Sequence, residues 1–162
     1  MYLKRKLSDE IISYKGLRFG YKTTQNTSFK HQVVIGVGGN IGDVKRRFEH
    51  LFYFLKRSRF VEVLQTSSIV KNPPFGFLDQ DDFFNTLIVM KTDFQPKKLL
   101  QYLQMIEKKF GRKRSFANAP RSLDLDIIFF DNIRVESKNL TIPHPHWHKR
   151  ESVLIPLMDL YK

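Results

Sequence analysis

Cysteine is absent from the 162 residues. That excludes a disulfide framework and a thiolate metal site, and it is compatible with a reducing compartment. Long apolar runs are missing too: none approaches the roughly 20 residues needed to cross a bilayer. Residues 1–16 carry no apolar segment of the signal-peptide kind. A cytoplasmic protein without a membrane role is the expectation. There is no internal repeat and no low-complexity tract, and tryptophan occurs once. Acidic residues are scarce, 16 against 28 Lys and Arg, leaving a net charge of +12 that calls for an anionic partner. Nucleic acid, an acidic membrane surface and a polyphosphate substrate are the candidates. What is present is a globular composition, 41% hydrophobic with 15 Phe, in a length suited to one domain.

The pattern changes near residue 31. Residues 1–31 are basic, broken by Gly16 and Gly20, and show no sustained period. They read as an extension, partly ordered at best, before a single domain over 32–162. Residues 33–37 form a buried strand closed by glycines, and Asp43 is placed to cap a helix with Val44, Phe48, Leu51, Phe52 and Leu55 at helical spacing. Residues 61–70 alternate as a strand, 71–76 are a proline loop, and 83–90 are another strand. Pro96 opens a second helix whose stripe runs Leu99, Leu100, Leu103, Ile106, Phe110, with Gly111 as its cap. Residues 112–121 form a long loop, 124–130 a β-branched and aromatic strand, and the remainder is rich in loops. Strand, helix, strand, strand, helix, strand is the ferredoxin-like α+β order, an antiparallel sheet with helices packed on it.

Chemistry concentrates in APRSLDLDIIFFDN, residues 119–132. On a strand, Asp124 and Asp126 face the same way and Leu123 and Leu125 the other. Adjacent carboxylates repel unless a cation lies between them. Mg²⁺ shared with substrate phosphates is one solution; a solvated strand end pairing with Arg121 or Arg134 is the other. The basic patch Lys108, Lys109, Arg112, Lys113, Arg114 lies just upstream. The glycine cluster 36–42 fits neither a dinucleotide fingerprint nor a Walker A loop, because Ile41 stands where glycine is needed and no Lys-Ser/Thr follows. It reads as a tight turn whose backbone approaches something closely. His144, His146 and His148 alternate, but no carboxylate or Cys nearby completes a zinc site. Single-stranded RNA binding suits basic ferredoxin-like sheets, yet neither VVIGVGG nor FFNTLIVM carries the aromatic signature of that module.

Five segments together resemble one family, 6-hydroxymethyl-7,8-dihydropterin pyrophosphokinase. GVGGNIGD is similar to its G-L-G-S-N-L-G-D, and NPPFGFLDQDDFFN to T-P-P-x-G-x-x-x-Q-x-D-F-x-N. Gln104, Glu107 and GRKR resemble Q-x-x-E…G-R-x-R, APRSLDLDIIFFD resembles W-G-P-R-T-x-D-x-D-I, and LTIPHP with HKRESVLIPL resembles the C-terminal signature. They span residues 34 to about 158 in family order.

The resemblance implies transfer of pyrophosphate from ATP to the pterin hydroxymethyl group, releasing AMP, in folate biosynthesis. It implies two Mg²⁺ ions on Asp124 and Asp126, with Arg112 and Arg121 as the other catalytic residues. It also implies ATP contacts from Gln104, Glu107, Arg112, Arg114, Arg121, His144 and Arg150, and closure of the 112–121 loop over the reactants. For the pterin it implies Asn72, Pro73, Phe75, Phe83 and Asn85. Departures are Gly39 for serine, Asn72 for threonine and Asn118-Ala119 for Trp-Gly. Ser152 stands where the family has a phenylalanine on the second face of the pterin, and Trp147 is the candidate to replace that ring. No stripe demands an interface, so a monomer without nucleic-acid or membrane partners is expected. Intact Asp124, Asp126, Arg112 and Arg121 speak against an inactive relative.

Overall fold

The computed structural model describes residues 1–24, 27–112 and 116–161. In chain order the elements are β1 (Leu3–Lys6), β2 (Ile12–Lys15), β3 (His31–Gly39), α1 (Val44–Arg57), β4 (Val61–Thr66), β5 (Ile69–Asn72), β6 (Phe83–Thr92), α2 (Pro96–Lys109), β7 (Asp124–Phe130), β8 (Val135–Glu136), β9 (Thr141–Ile142), a 3₁₀ turn (Trp147–Lys149) and α3 (Glu151–Leu160). The strands of the main sheet pair antiparallel, and β7, β3, β6 and β4 lie side by side in that order. This is the ferredoxin-like arrangement expected from the order of elements.

Alternation on β3 separates the two faces of the sheet. Val33, Ile35 and Val37 are buried on one side with Met90, Leu123, Leu125 and Ile127. That side is covered by α1 and α2, whose Phe48, Leu51, Leu55, Leu99, Leu103 and Ile106 recur every three or four residues. Asp43 caps α1 by accepting a hydrogen bond from the Arg46 N–H at 3.2 Å. Gly111, at φ +85°, ends α2 in a Schellman turn. In it the Gly111 N–H donates to Lys108 O and the Arg112 N–H to Glu107 O, both at 3.0 Å.

The strand expected over 61–70 is two strands. β4 and β5 follow one another along the same edge of β6, with a break at Ser67 and Ser68. There the Ser67 N–H still donates to Leu87 O at 3.0 Å, but the Leu87 N–H goes to the Ser67 hydroxyl at 2.9 Å. A side-chain oxygen replaces a ladder carbonyl, which a hydrophobic pattern cannot reveal.

Two further differences are larger. The C-terminal segment, expected as loops, contains α3. Pro156 sits inside that helix, where proline ordinarily argues against one. Burial offsets the missing bond: Val153 and Leu160 pack with Leu87, Val89 and Ile128 on the second face of the sheet, and Asp159 accepts from the Ser68 N–H at 2.8 Å. The first residues, expected as a partly ordered extension, place β2 against β5 and β1 against β2. Phe19 is fully buried, with its ring 6.0 Å from Phe48 and 6.1 Å from Phe52. Four-residue strands are too short to show a period, and their partners lie far away in the sequence.

Candidate active site

Gly36 and Gly38 leave a strip of the second sheet face without side chains. Across β3–β7 pairing, Asp126 stands opposite Gly36 and Asp124 opposite Gly38; across β3–β6, Asn85 stands opposite Gly38. Side chains added here would crowd close neighbours. A Cβ on Gly38 would lie 2.8 Å from Asn85 Oδ1, and one on Gly39 2.6 Å from Ser122 O. The close approach expected of the glycine cluster is therefore made by neighbouring strands and the segment before β7. Over this strip lies a cleft bounded by both acids, the Asn72–Asn85 pair, Phe75, Phe83, Arg121, His144, Arg150 and Ser152.

At the acidic end the Schellman turn delivers Arg112 straight off α2. Its Nη1 bonds Glu107 Oε2 at 2.9 Å and also Asp124 Oδ1. Glu107, nearly fully buried, accepts the Leu125 N–H at 2.8 Å through the same oxygen, so one carboxylate aligns Arg112 with the start of β7. Arg121 Nη1 holds the other Asp124 oxygen at 3.1 Å. Asp124 thus does pair with Arg121, as the solvated-end reading expects, but inside a cleft and between two guanidinium groups. Burial first, then the charges of Asp124 and Glu107, push the Asp126 carboxyl up to about 7, with Arg112 and Arg150 pulling the other way. Arg112 Nε is buried with no hydrogen-bond partner among the described residues.

The opposite end is built from amides and rings. Asn85 Nδ2 donates to Asn72 Oδ1 at 2.7 Å, and Asn72 Nδ2 donates to Pro73 O at 3.0 Å. Each amide orients the other, and Asn85 Oδ1 is turned to the glycine strip. The Arg121 guanidinium lies 5.5 Å from the Phe83 ring centroid, and that of Arg150 lies 5.5 Å from Phe75. Burial and the nearby Arg150 lower the His144 pKa, favouring neutral imidazole. Its Nδ1 accepts the His146 N–H at 3.2 Å, so Nε2 carries the proton.

Other expected residues fall elsewhere. Gln104 is exposed on α2 and lines a separate groove with Glu107, Lys108 and Arg112. Arg114 lies outside the described residues. Trp147 packs on Phe129 with ring centroids 5.1 Å apart, next to α3, and does not bound the cleft where the missing phenylalanine would stand. Ser152 does bound it. His146 and His148 are exposed, and among the described residues no group of three or more His, Cys, Asp or Glu is placed to hold a metal. Asn118 has φ +59°, a left-handed conformation that asparagine tolerates well.

Asn40 and Gln80 stand at matched positions of the resembling motifs, but sequence reasoning gave them no role. Asn40 is 4% exposed; its Oδ1 accepts the Arg121 N–H at 2.9 Å and its Nδ2 donates to Gln80 Oε1 at 2.8 Å. The available signal was a polar residue at the end of a buried glycine strand, which must find partners.

With this geometry in view, similarity over the chain is decisive. The sequence model for 7,8-dihydro-6-hydroxymethylpterin-pyrophosphokinase (HPPK) matches residues 34–162. The chain belongs to this family. A 2-amino-4-hydroxy-6-hydroxymethyldihydropteridine pyrophosphokinase of Campylobacter jejuni is 40% identical over 130 residues, covering 80% of this chain and 83% of the relative. The corresponding Helicobacter pylori protein is 37% identical over 131 residues, covering 80% of both. The mitochondrial folate synthesis bifunctional protein of Arabidopsis thaliana is 37% identical over 138 residues, 85% of this chain but 25% of that longer protein. As an HPPK, the protein transfers a pyrophosphoryl group from ATP to hydroxymethyldihydropterin in folate synthesis.

Proposed function

We propose that the cleft performs this transfer with Mg²⁺ at Asp124 and Asp126, pterin over the Asn85 end and ATP phosphates between Arg112 and Arg121. The carrying observation is the pair of acids on β7 beside a side-chain-free strip, with amides across it. Two hard carboxylates side by side, with Asp126 pushed up by burial and by the neighbouring Asp124, suit a divalent cation. When bound, Mg²⁺ supplies charge neutralisation and Lewis acidity at the phosphate oxygens.

The remaining work belongs to side chains of this protein. Phosphoryl chemistry asks mainly for positioning and charge stabilisation. Arg112 and Arg121 turn from Asp124 towards the phosphates, and the unpartnered Arg112 Nε adds a donor. Glu107 keeps Arg112 at the α2 end while it does so. His144 Nε2–H and Arg150 meet ATP oxygens from the far wall, and Gln104 contacts ATP from the side groove. Asn85 Oδ1 accepts from the pterin ring, with Phe83 and Phe75 against its faces and the 72–76 main chain at its edge. Residues 32–162 carry the catalytic groups, with the β1–β2 hairpin and Phe19 packed into the same sheet and core, and the protein acts as a monomer in the cytoplasm. Two Mg²⁺ ions match the pair of acids.

The test is AMP release from ATP that needs both Mg²⁺ and 6-hydroxymethyl-7,8-dihydropterin. Asp124→Ala is expected to lower kcat on the order of 100-fold or more while pterin affinity stays within about threefold. Wild-type turnover in that variant would sink the metal assignment.

A further inference from the structure

Three loops meet at one buried amide. The first follows β3 and carries Asn40. The second, 73–82, carries Phe75 and ends at Gln80 to Asp82. The third, approaching β7, carries Asn118 and Arg121. Asn40 grips the Arg121 peptide twice: its N–H donates to Arg121 O at 3.0 Å, and its Oδ1 accepts from the Arg121 N–H at 2.9 Å. Its Nδ2 is spent on Gln80 Oε1 at 2.8 Å and Asp81 O at 3.0 Å. Gln80 in turn donates from Nε2 to Phe77 O at 2.6 Å and to Asn118 O at 2.8 Å.

Neither amide can be reversed. Turning Asn40 over would aim NH₂ at the Arg121 N–H and oxygen at Asp81 O. Turning Gln80 over would aim oxygen at two carbonyls and NH₂ at another NH₂. The network therefore has a single orientation, with every polar atom of both side chains used.

From this we infer that Gln80 is a positioning residue for Arg121, acting through Asn40 and coupling the 73–82 loop to the guanidinium at the acids. The tip of a long side chain inherits any error in its own backbone, and Arg121 sits on an irregular segment just before β7. Its guanidinium reaches Asp124 at 3.1 Å and lies over Phe83. The root of that reach is the Asn40 clamp, and Gln80 holds the clamp in register. The same Gln80 pins Phe77 and Asn118, whose loops flank the cleft. Displacing the 73–82 loop thus displaces the root of Arg121. The inference rests on the proposed reading that Arg121 works on phosphate, and its test separates the two.

Gln80 is only half-buried at a loop end, so Gln80→Ala is expected to fold with a thermal midpoint close to wild type. Hydrogen exchange at the Arg121 amide reads the clamp without catalysis: exchange about tenfold faster in Gln80→Ala is expected, with amides of the β3–β6 ladder unchanged. Turnover should fall roughly tenfold in Gln80→Ala. In an Arg121→Lys background the same Gln80→Ala change should matter by less than about twofold, because residues acting as one unit are not additive. Gln80→Glu keeps the acceptor for Asn40 but sets a carboxylate against two carbonyls. It should therefore retain Arg121 amide protection better than Gln80→Ala while losing the tie to Phe77 and Asn118. Unchanged Arg121 exchange in Gln80→Ala, or a full tenfold loss repeated in the Arg121→Lys background, overturns the inference. Absence of pterin-dependent AMP formation by the unmodified protein would instead overturn the function, leaving the exchange result to decide the clamp.

Discussion

The Asp126 carboxyl is held up to about 7, against 3.8 in a solvated chain, by burial and by Asp124 and Glu107. Between those values the folded protein keeps a proton that the unfolded chain has released. Stability of the metal-free protein should therefore be greatest in mild acid and fall as pH rises from about 4 through about 7, measurable as a declining thermal midpoint. Magnesium inverts the preference by requiring the charged form. Titration with Mg²⁺ at pH 6 should release about one proton, read by calorimetry in buffers of different ionisation enthalpy, and Asp126→Asn should abolish it. Gly38→Ala tests the strip beside the acids. Its Cβ would sit 2.8 Å from Asn85 Oδ1, so the amide must rotate away from Asn72, and KM for the pterin should rise roughly tenfold. The acids were legible because a two-residue period on an apolar strand is a local pattern. The pairing of Asn40 with Gln80 was not, because a hydrogen bond between side chains 40 positions apart leaves no local trace.

At the scale of elements, helices with long stripes and good caps were readable, and those held by tertiary contacts were not. α1 and α2 have both period and cap. α3 has an interior proline and depends on the sheet beneath it. The β1–β2 hairpin depends on β5, which it converts from an edge strand into an internal one. This matters to the cleft, since β5 ends at Asn72, the partner of Asn85. Deleting residues 1–23 should lower the thermal midpoint by on the order of 10 °C and raise KM for the pterin more than KM for ATP. Phe19→Ala, which empties a fully buried ring site, should cost about 3–5 kcal/mol in urea unfolding. An unaltered midpoint after truncation would mean that the hairpin merely decorates the sheet.

The whole molecule carries a charge of +12, so ATP approaches a field of opposite sign. Screening acts over about 10 Å at 0.1 M salt. KM for ATP is therefore expected to climb several-fold between about 0.05 and 0.5 M NaCl, while KM for the uncharged pterin stays nearly level; parallel changes in both would point to loss of fold instead of loss of steering. Loss of fold has its own reporter. Trp147, the single tryptophan, lies edge-on to Phe129 at 5.1 Å and beside His148 at 5.6 Å. It stands between His144 and Arg150 in sequence and touches the far end of the strand that bears both acids. The protein thus contains a native optical probe: selective excitation of this indole would report, with no label attached, whether the segment before α3 stays packed on that strand.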